Sequence, residues 1–149
     1  MKSRHRAREV ALQILYRYDV AKPTGPKPNV QADTQARELI RDLGAHFDHF
    51  QVPQDLREFA AQLVSGTLNE MPELDSVLEN HASNWKVSRM PSVDRSLLRM
   101  AIYELKHYPE TDASVVIDEA IELGKQFGTA DTPSFVNGIL DAIRVLVRA

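Results

Sequence analysis

Residues 93–105 of the chain read Val-Asp-Arg-Ser-Leu-Leu-Arg-Met-Ala-Ile-Tyr-Glu-Leu, and this stretch decides the fold. Its apolar residues are spread around much of a helix circumference instead of following a single stripe. A helix on the surface of a domain carries one apolar face, whereas a helix that is apolar on several sides is buried. We therefore predict a central helix here, with other elements packed around it.

The rest of the chain is also predicted to be helical, because apolar residues recur at three- and four-residue spacing and no stretch alternates with the two-residue period of a strand. Residues 22–28 contain prolines and a glycine and are therefore predicted to form a loop. Gly128 and Thr132 are predicted to cap the sixth and seventh helices, and Gly124 and Gly138 to allow close helix packing. The sequence thus predicts an all-α fold of about seven helices, near 7–18, 36–50, 53–69, 72–85, 93–105, 113–127 and 133–147.

Length and composition limit the class of protein. A chain of 149 residues has the length of one domain and buries roughly 68–70% of its unfolded surface. The absence of cysteine excludes a disulfide scaffold, a thiolate metal site and a cysteine nucleophile. Because no apolar run is long enough for a membrane span or a signal peptide, we expect a soluble cytoplasmic protein.

The net charge of −3 conceals an uneven distribution. Residues 1–8 carry a charge of +4, and residues 9–149 carry −7. Arginine binds phosphate well because its guanidinium group is planar and bidentate, so Arg4, Arg6 and Arg8 indicate a phosphate-binding arm. The alternative is that these arginines belong to a solvated, frayed chain terminus and bind nothing. Because the arm neutralises only about four phosphates, binding by the arm alone would be weak and sensitive to salt.

A second candidate site lies at residues 130–135, Ala-Asp-Thr-Pro-Ser-Phe, where the last helix begins. The first turn of a helix presents unpaired N–H groups that suit a phosphate. An exposed Phe135 could stack on a base of single-stranded RNA, although its helical spacing also fits a core position. The sequence leaves both alternatives open for Phe135.

Motifs for catalysis and metal binding are absent or incomplete. The sequence contains no Gly-x-Ser-x-Gly elbow, no phosphate-binding loop and no Gly-x-Gly-x-x-Gly after a strand. Glu104-x-x-His107 is half of a di-metal motif without its second half, and His46 with His49 lacks a third ligand. We therefore predict no enzymatic activity, no cofactor and no metal site.

Four stretches of the chain carry a resemblance to the NusB family of bacterial transcription antitermination factors. Three of them are residues 93–105, 117–128 and 135–141. The remaining one opens the chain and reads Arg4-x-Arg6-Ala7-Arg8-Glu9-x-Ala11-x-Gln13-x-Leu15-Tyr16. The stretches occur in the family's order and reach both ends of the sequence, whereas residues 20–92 match only in helical pattern.

The resemblance implies a single domain over residues 1–149, with two three-helix subbundles at about 1–70 and 71–149. It implies no catalysis. It implies binding to the boxA element of nascent ribosomal-RNA transcripts together with NusE, a protein of the small ribosomal subunit. It further implies assembly with other Nus factors on RNA polymerase, and some relatives form homodimers.

The resemblance also assigns site residues by position. The RNA-binding residues it implies are Arg4, His5, Arg6, Arg8, Asp131 and Phe135. The NusE-binding residues it implies are Tyr16, Asp94 and Arg99. Two residues depart from the family pattern, since Asp94 stands where a longer Glu is common and Ser134 stands where relatives often have Lys.

Two other functions remain open. NusB-like domains also occur at the N-terminus of RNA cytosine methyltransferases, which would require a downstream α/β domain for the methyl donor. The third possibility is a structural helical oligomerisation module in which the basic arm has no role in binding.

Overall fold

The computed structural model describes residues 2–21, 32–82 and 86–148, and the side chains among them other than those at 2–3 and 32–40. These residues form seven α-helices and one short 3-10 turn, and they contain no strand. The helices are α1 (Lys2–Ala21), α2 (Ala32–His49), α3 (Gln54–Asn69), α4 (Met71–His81), α5 (Ser92–His107), α6 (Ala113–Phe127) and α7 (Thr132–Val147), and the turn is Val87–Arg89. The prediction of an all-α fold with about seven helices is confirmed.

The chain divides into two compact units, Met1–Ser65 and Gly66–Ala149, which we call the first and second unit. The first unit contains α1, α2 and most of α3, and the second contains the end of α3 and all of α4 to α7. The predicted loop at 22–28 lies outside the described residues. The fourth helix is predicted to reach about residue 85, whereas α4 ends at His81 with Ala82 as its C-cap, and residues 83–85 lie outside the description.

Helix α5 is the central helix of the second unit. It contacts α4, α6 and α7, and α6 and α7 also pack against each other. Its buried apolar side chains are Leu97, Leu98, Met100, Ala101, Ile102 and Leu105. Four polar side chains of the same helix are buried as well, and for Asp94 and Arg99 a hydrogen bond and an ion pair compensate for the lost hydration.

Two cap predictions need correction. Gly128 does cap α6, since its N–H donates to Gly124 O at 2.9 Å, but its φ of −96° is not the left-handed conformation that favours glycine. Thr132 does not cap α7 and is instead the first residue of that helix, preceded by Asp131, whose side chain makes no capping hydrogen bond. The Thr132 hydroxyl makes its hydrogen bonds elsewhere, because it points toward α5.

The two predicted packing glycines differ. Gly124 is buried, and a Cβ at this position would lie 3.1 Å from Thr132 Cγ2, so the expected close packing is confirmed. Gly138 is exposed and a Cβ there would meet no atom within 4 Å, so the packing prediction for Gly138 is wrong. The helical period places Gly138 on the outer face of α7, between the buried Val136 and Ile139.

No helix in the described part of the chain is both long enough and apolar enough to cross a membrane.

Candidate functional site

Two of the arginines of α1 meet at one aromatic ring in the first unit. The guanidinium carbon of Arg4 lies 4.5 Å from the centroid of the Phe59 ring, and that of Arg8 lies 5.5 Å from it. Phe59 belongs to α3 and is buried. A cation over the face of an aromatic ring within about 6 Å is attracted by the ring's quadrupole. The fold therefore gathers Arg4 and Arg8 over a ring that comes from another helix.

The two arginines of this pair differ in exposure. Arg4 is exposed, whereas Arg8 is only 3% exposed. A solvated terminus therefore does not describe Arg8. In this arrangement Arg4 can reach a ligand, and Arg8 is held inside the fold.

Glu9 compensates part of the positive charge on α1. Arg6 forms an ion pair with the Glu9 carboxylate one turn along the helix, and its Nη2 donates to the carbonyl oxygen of Phe50 at 3.2 Å. The His5 ring nitrogen Nε2 lies 4.0 Å from the same carboxylate. Both side chains are half-buried. The local charge that this helix offers to an anion is thus smaller than the +4 counted from the sequence.

The N-terminus of α7 presents the second group of predicted residues. Asp131 is exposed just before the helix, where a negative charge is favoured by the helix dipole. The Phe135 N–H donates to the Asp131 carbonyl oxygen at 3.1 Å, so one helical turn links these two residues. Phe135 is half-buried, which leaves part of its ring for stacking and places the rest against the protein.

Asp94 and Arg99, two of the three residues that the resemblance assigns to NusE, are each 5% exposed. The Asp94 carboxylate accepts a hydrogen bond from the Thr132 hydroxyl at 2.9 Å. Burial raises the pKa of the Asp94 carboxyl above its usual value, and the hydrogen bond from Thr132 offsets part of the rise.

Arg99 forms a bidentate pair with Asp75 of α4, with Nε to Oδ1 at 2.7 Å and Nη2 to Oδ2 at 2.9 Å. This pair joins α5 to α4. Tyr16, the third predicted NusE residue, is 41% exposed on α1. Among the three, Tyr16 presents a side chain to solvent, whereas Asp94 and Arg99 make hydrogen bonds within the second unit.

The incomplete metal motif is also engaged in other contacts. His107 Nε2 lies 2.6 Å from a carboxylate oxygen of Glu70, and Glu104 is buried. Within the described ranges, no three His, Cys, Asp or Glu side chains are grouped so that they could hold a metal ion.

Phe59, Thr132 and Asp75 contact candidate site residues and were not predicted from the sequence to do so. Phe59 and Asp75 lie in ordinary helical patterns, and only the three-dimensional fold brings each beside an arginine. Thr132 was predicted from the sequence to be the N-cap of the last helix, and its hydrogen bond to Asp94 was not predicted.

A sequence model of the NusB family matches residues 5–144. The chain belongs to the NusB family. The transcription antitermination protein NusB of Desulforapulum autotrophicum is 42% identical over 146 residues, which cover 98% of this chain and 94% of that protein.

Solved structures agree with this family membership. A NusB structure from T. maritima superposes with a TM-score of 0.76 at 27% identity, covering 95% of this chain and 90% of that one. A chain from the structure of the antitermination factors NusB and NusE in complex with dsRNA superposes with a TM-score of 0.77 at 27% identity. The match covers 98% of this chain and 98% of that one. The relatives are named as transcription antitermination proteins, which confirms the prediction of a family without enzymatic activity.

Proposed function

We propose that this chain is a transcription antitermination factor that binds boxA-type single-stranded RNA of nascent ribosomal-RNA transcripts together with NusE. The observation that carries the proposal is the pair of arginines, Arg4 and Arg8, held over the Phe59 ring at the start of a NusB-family chain. The solved complex of the antitermination factors NusB and NusE with dsRNA supports RNA as the class of ligand and NusE as the partner.

The chemistry of the α1 residues suits the RNA backbone. Arg4 is exposed and already ordered by the ring, so it loses little side-chain entropy when it meets a phosphate. His5 and Arg6 lie beside it, and Arg8 supports the cluster from inside the fold. Because these groups neutralise few phosphates, the RNA must gain further affinity from other contacts.

The α7 residues suit the bases. Single-stranded RNA is commonly held by aromatic rings that stack on unpaired bases, and the half-buried Phe135 offers one such ring. The exposed Asp131 carboxylate can accept hydrogen bonds only, so it favours the amino groups of bases over phosphate oxygens. The two residues together would contribute base recognition rather than backbone affinity.

Tyr16, Asp94 and Arg99 are the residues proposed for NusE binding. In the first unit the exposed Tyr16 would supply a direct contact, and in the second unit Asp94 and Arg99 hold α5 against the start of α7 and against α4. The charge of −7 on residues 9–149 suits a basic ribosomal protein, since complementary potentials steer association. In a bacterial cytoplasm this complex would join other Nus factors on RNA polymerase.

One titration tests the proposal. A fluorescent boxA-type RNA is titrated with the chain, with and without NusE, at a low and a higher salt concentration, alongside a scrambled RNA of equal length. We expect the boxA-type RNA to bind more tightly than the scrambled RNA, most clearly with NusE present, and to bind less tightly at higher salt. Equal affinity for both RNAs in the presence of NusE would refute the proposal.

The same samples examined by size-exclusion chromatography with light scattering report the oligomeric state. A 1:1:1 complex of chain, NusE and RNA supports the proposal. A homodimer that persists and binds neither ligand favours the oligomerisation module instead.

A further inference from the structure

Thr132 occupies a fully buried position where three helices of the second unit come together. Its hydroxyl donates to the Asp94 carboxylate in the first turn of α5 at 2.9 Å, and its Oγ1 accepts the N–H of Thr129 at 3.0 Å. Its methyl group faces Gly124 near the end of α6. One side chain therefore contacts the start of α5, the end of α6 and the turn that leads into α7.

Gly128 leaves the space that Thr132 needs. A Cβ on Gly128 would lie 2.6 Å from the Cβ of Thr132, closer than real atoms approach. The backbone of Gly128 has φ −96° and ψ −164°, which any residue can adopt. Glycine is therefore required here because the Thr132 side chain occupies the space that a Cβ would need, and not because of the backbone conformation.

The position of Thr132 matters because of its neighbours in sequence. Asp131 precedes it and Phe135 follows within one helical turn, so the direction of the first turn of α7 determines where both side chains point. Asp94 lies at the other end of the hydrogen bond, in the region where we place NusE. A single bond thus connects the partner side of the second unit to its RNA side.

We propose that Thr132 is a positioning residue for RNA binding, which acts by tying Asp94 to the first turn of α7. Through this bond, NusE docked near Asp94 favours the orientation of Asp131 and Phe135 that binds RNA, and RNA favours NusE to the same degree. The inference rests on the proposed function, because it needs both ligands to bind.

The test compares three substitutions in the 149-residue chain. Thr132→Val keeps the shape of the side chain and loses the hydroxyl, and Thr132→Ser keeps the hydroxyl. Thr67→Val is the matched control, because Thr67 is also fully buried in the second unit and its hydroxyl has no hydrogen-bond partner in the part of the chain that is described. For each protein, the Kd for boxA-type RNA is measured with and without saturating NusE, and the melting temperature is measured in parallel.

We expect NusE to tighten RNA binding of the unmodified chain about tenfold, within the usual range of allosteric coupling. Thr132→Val should reduce this ratio to about twofold or less, while Thr132→Ser and Thr67→Val retain it. If Thr132→Val fails to fold, Asp94→Ala removes the acceptor from the other end of the bond, and the same loss of coupling is expected when the Kd is measured with NusE at a concentration that saturates the variant.

A purely structural role would lower the melting temperature of Thr132→Val and leave the ratio of the two Kd values unchanged. That result, or a ratio near one for the unmodified chain, overturns the inference while specific RNA binding still stands. If the unmodified chain does not distinguish boxA-type from scrambled RNA, the proposed function fails as well, so the two failures are distinguishable.

Discussion

Replacing Phe59 by leucine removes the ring shared by Arg4 and Arg8 and keeps an apolar side chain in the first unit. The contact with the exposed Arg4 at 4.5 Å is worth about 0.5–1 kcal/mol, and the contact with the buried Arg8 at 5.5 Å about 2 kcal/mol. We therefore expect Phe59→Leu to lower the free energy of unfolding by about 2.5–3 kcal/mol.

The effect of Phe59→Leu on RNA binding is smaller and has a different origin. Without the ring, Arg4 must be ordered when RNA binds, which costs about 1 kcal/mol for one long side chain. We expect RNA affinity to fall roughly fivefold, and Arg4→Ala to add little further loss in the Phe59→Leu background. Fluorescence anisotropy with boxA-type RNA measures the affinity, and urea denaturation measures the stability.

Phe47→Leu is the matched control for Phe59→Leu. Phe47 is equally buried in the first unit, and its ring also faces an arginine, with the Arg57 guanidinium carbon 5.8 Å from the ring centroid. This variant should lose stability and keep its affinity for RNA. Equal RNA affinities for the two variants, or fully additive losses from Phe59→Leu and Arg4→Ala, would refute the reasoning.

The remaining predictions concern the second unit and are read by urea denaturation. Asp75→Ala should lower the free energy of unfolding by about 3 kcal/mol, because it removes the carboxylate that pairs with the buried Arg99 guanidinium, and Arg99→Met in the same background should recover much of the loss. The Asp94 carboxyl has a folded-state pKa above its usual 3.8, so the folded chain holds this proton more tightly than the unfolded chain does. The contribution of this carboxyl to the free energy of unfolding therefore decreases as the pH rises from 3.8 through the raised pKa. Asp94→Asn should remove this decrease. Parallel plots of stability against pH for the variant and the unmodified chain would contradict the prediction. Gly128→Ala should destabilise by about 1–3 kcal/mol through overpacking, while Gly138→Ala at its exposed helical position should stabilise by about 1 kcal/mol, and equal effects would contradict the packing argument.

The helices and the central role of α5 could be predicted from the sequence because the periodicity of apolar residues is a local property. The cluster of arginines was also visible, since charge can be counted without a fold. The solvent exposure of each arginine side chain could not be predicted from the sequence. Arg6 and Arg8 are the same residue type on the same helix, yet the fold buries Arg8 and leaves Arg6 half-exposed.

Pairings between distant segments could not be predicted either. The bond of Thr132 to Asp94 depends on how three helices meet, and a threonine before a proline gave only the signal of a helix cap. At Gly138 the sequence predicted a contact that does not exist. Glycine suggested close helix packing, but this residue lies on the solvent-exposed face of α7. Residue type and spacing therefore predicted the elements, whereas the contacts between elements determine which residues meet at the candidate site.

The ring of Phe59 has a consequence for transplanting the arm. The arginines at the start of α1 lie within residues 4–8, which suggests a short tag that could be fused to another helix to confer RNA binding. The ring that orders Arg4 and Arg8 belongs to α3, so the copied peptide would leave behind the group that fixes its guanidinium positions. A graft intended to work would carry both helices, with the aromatic residue treated as part of the arm.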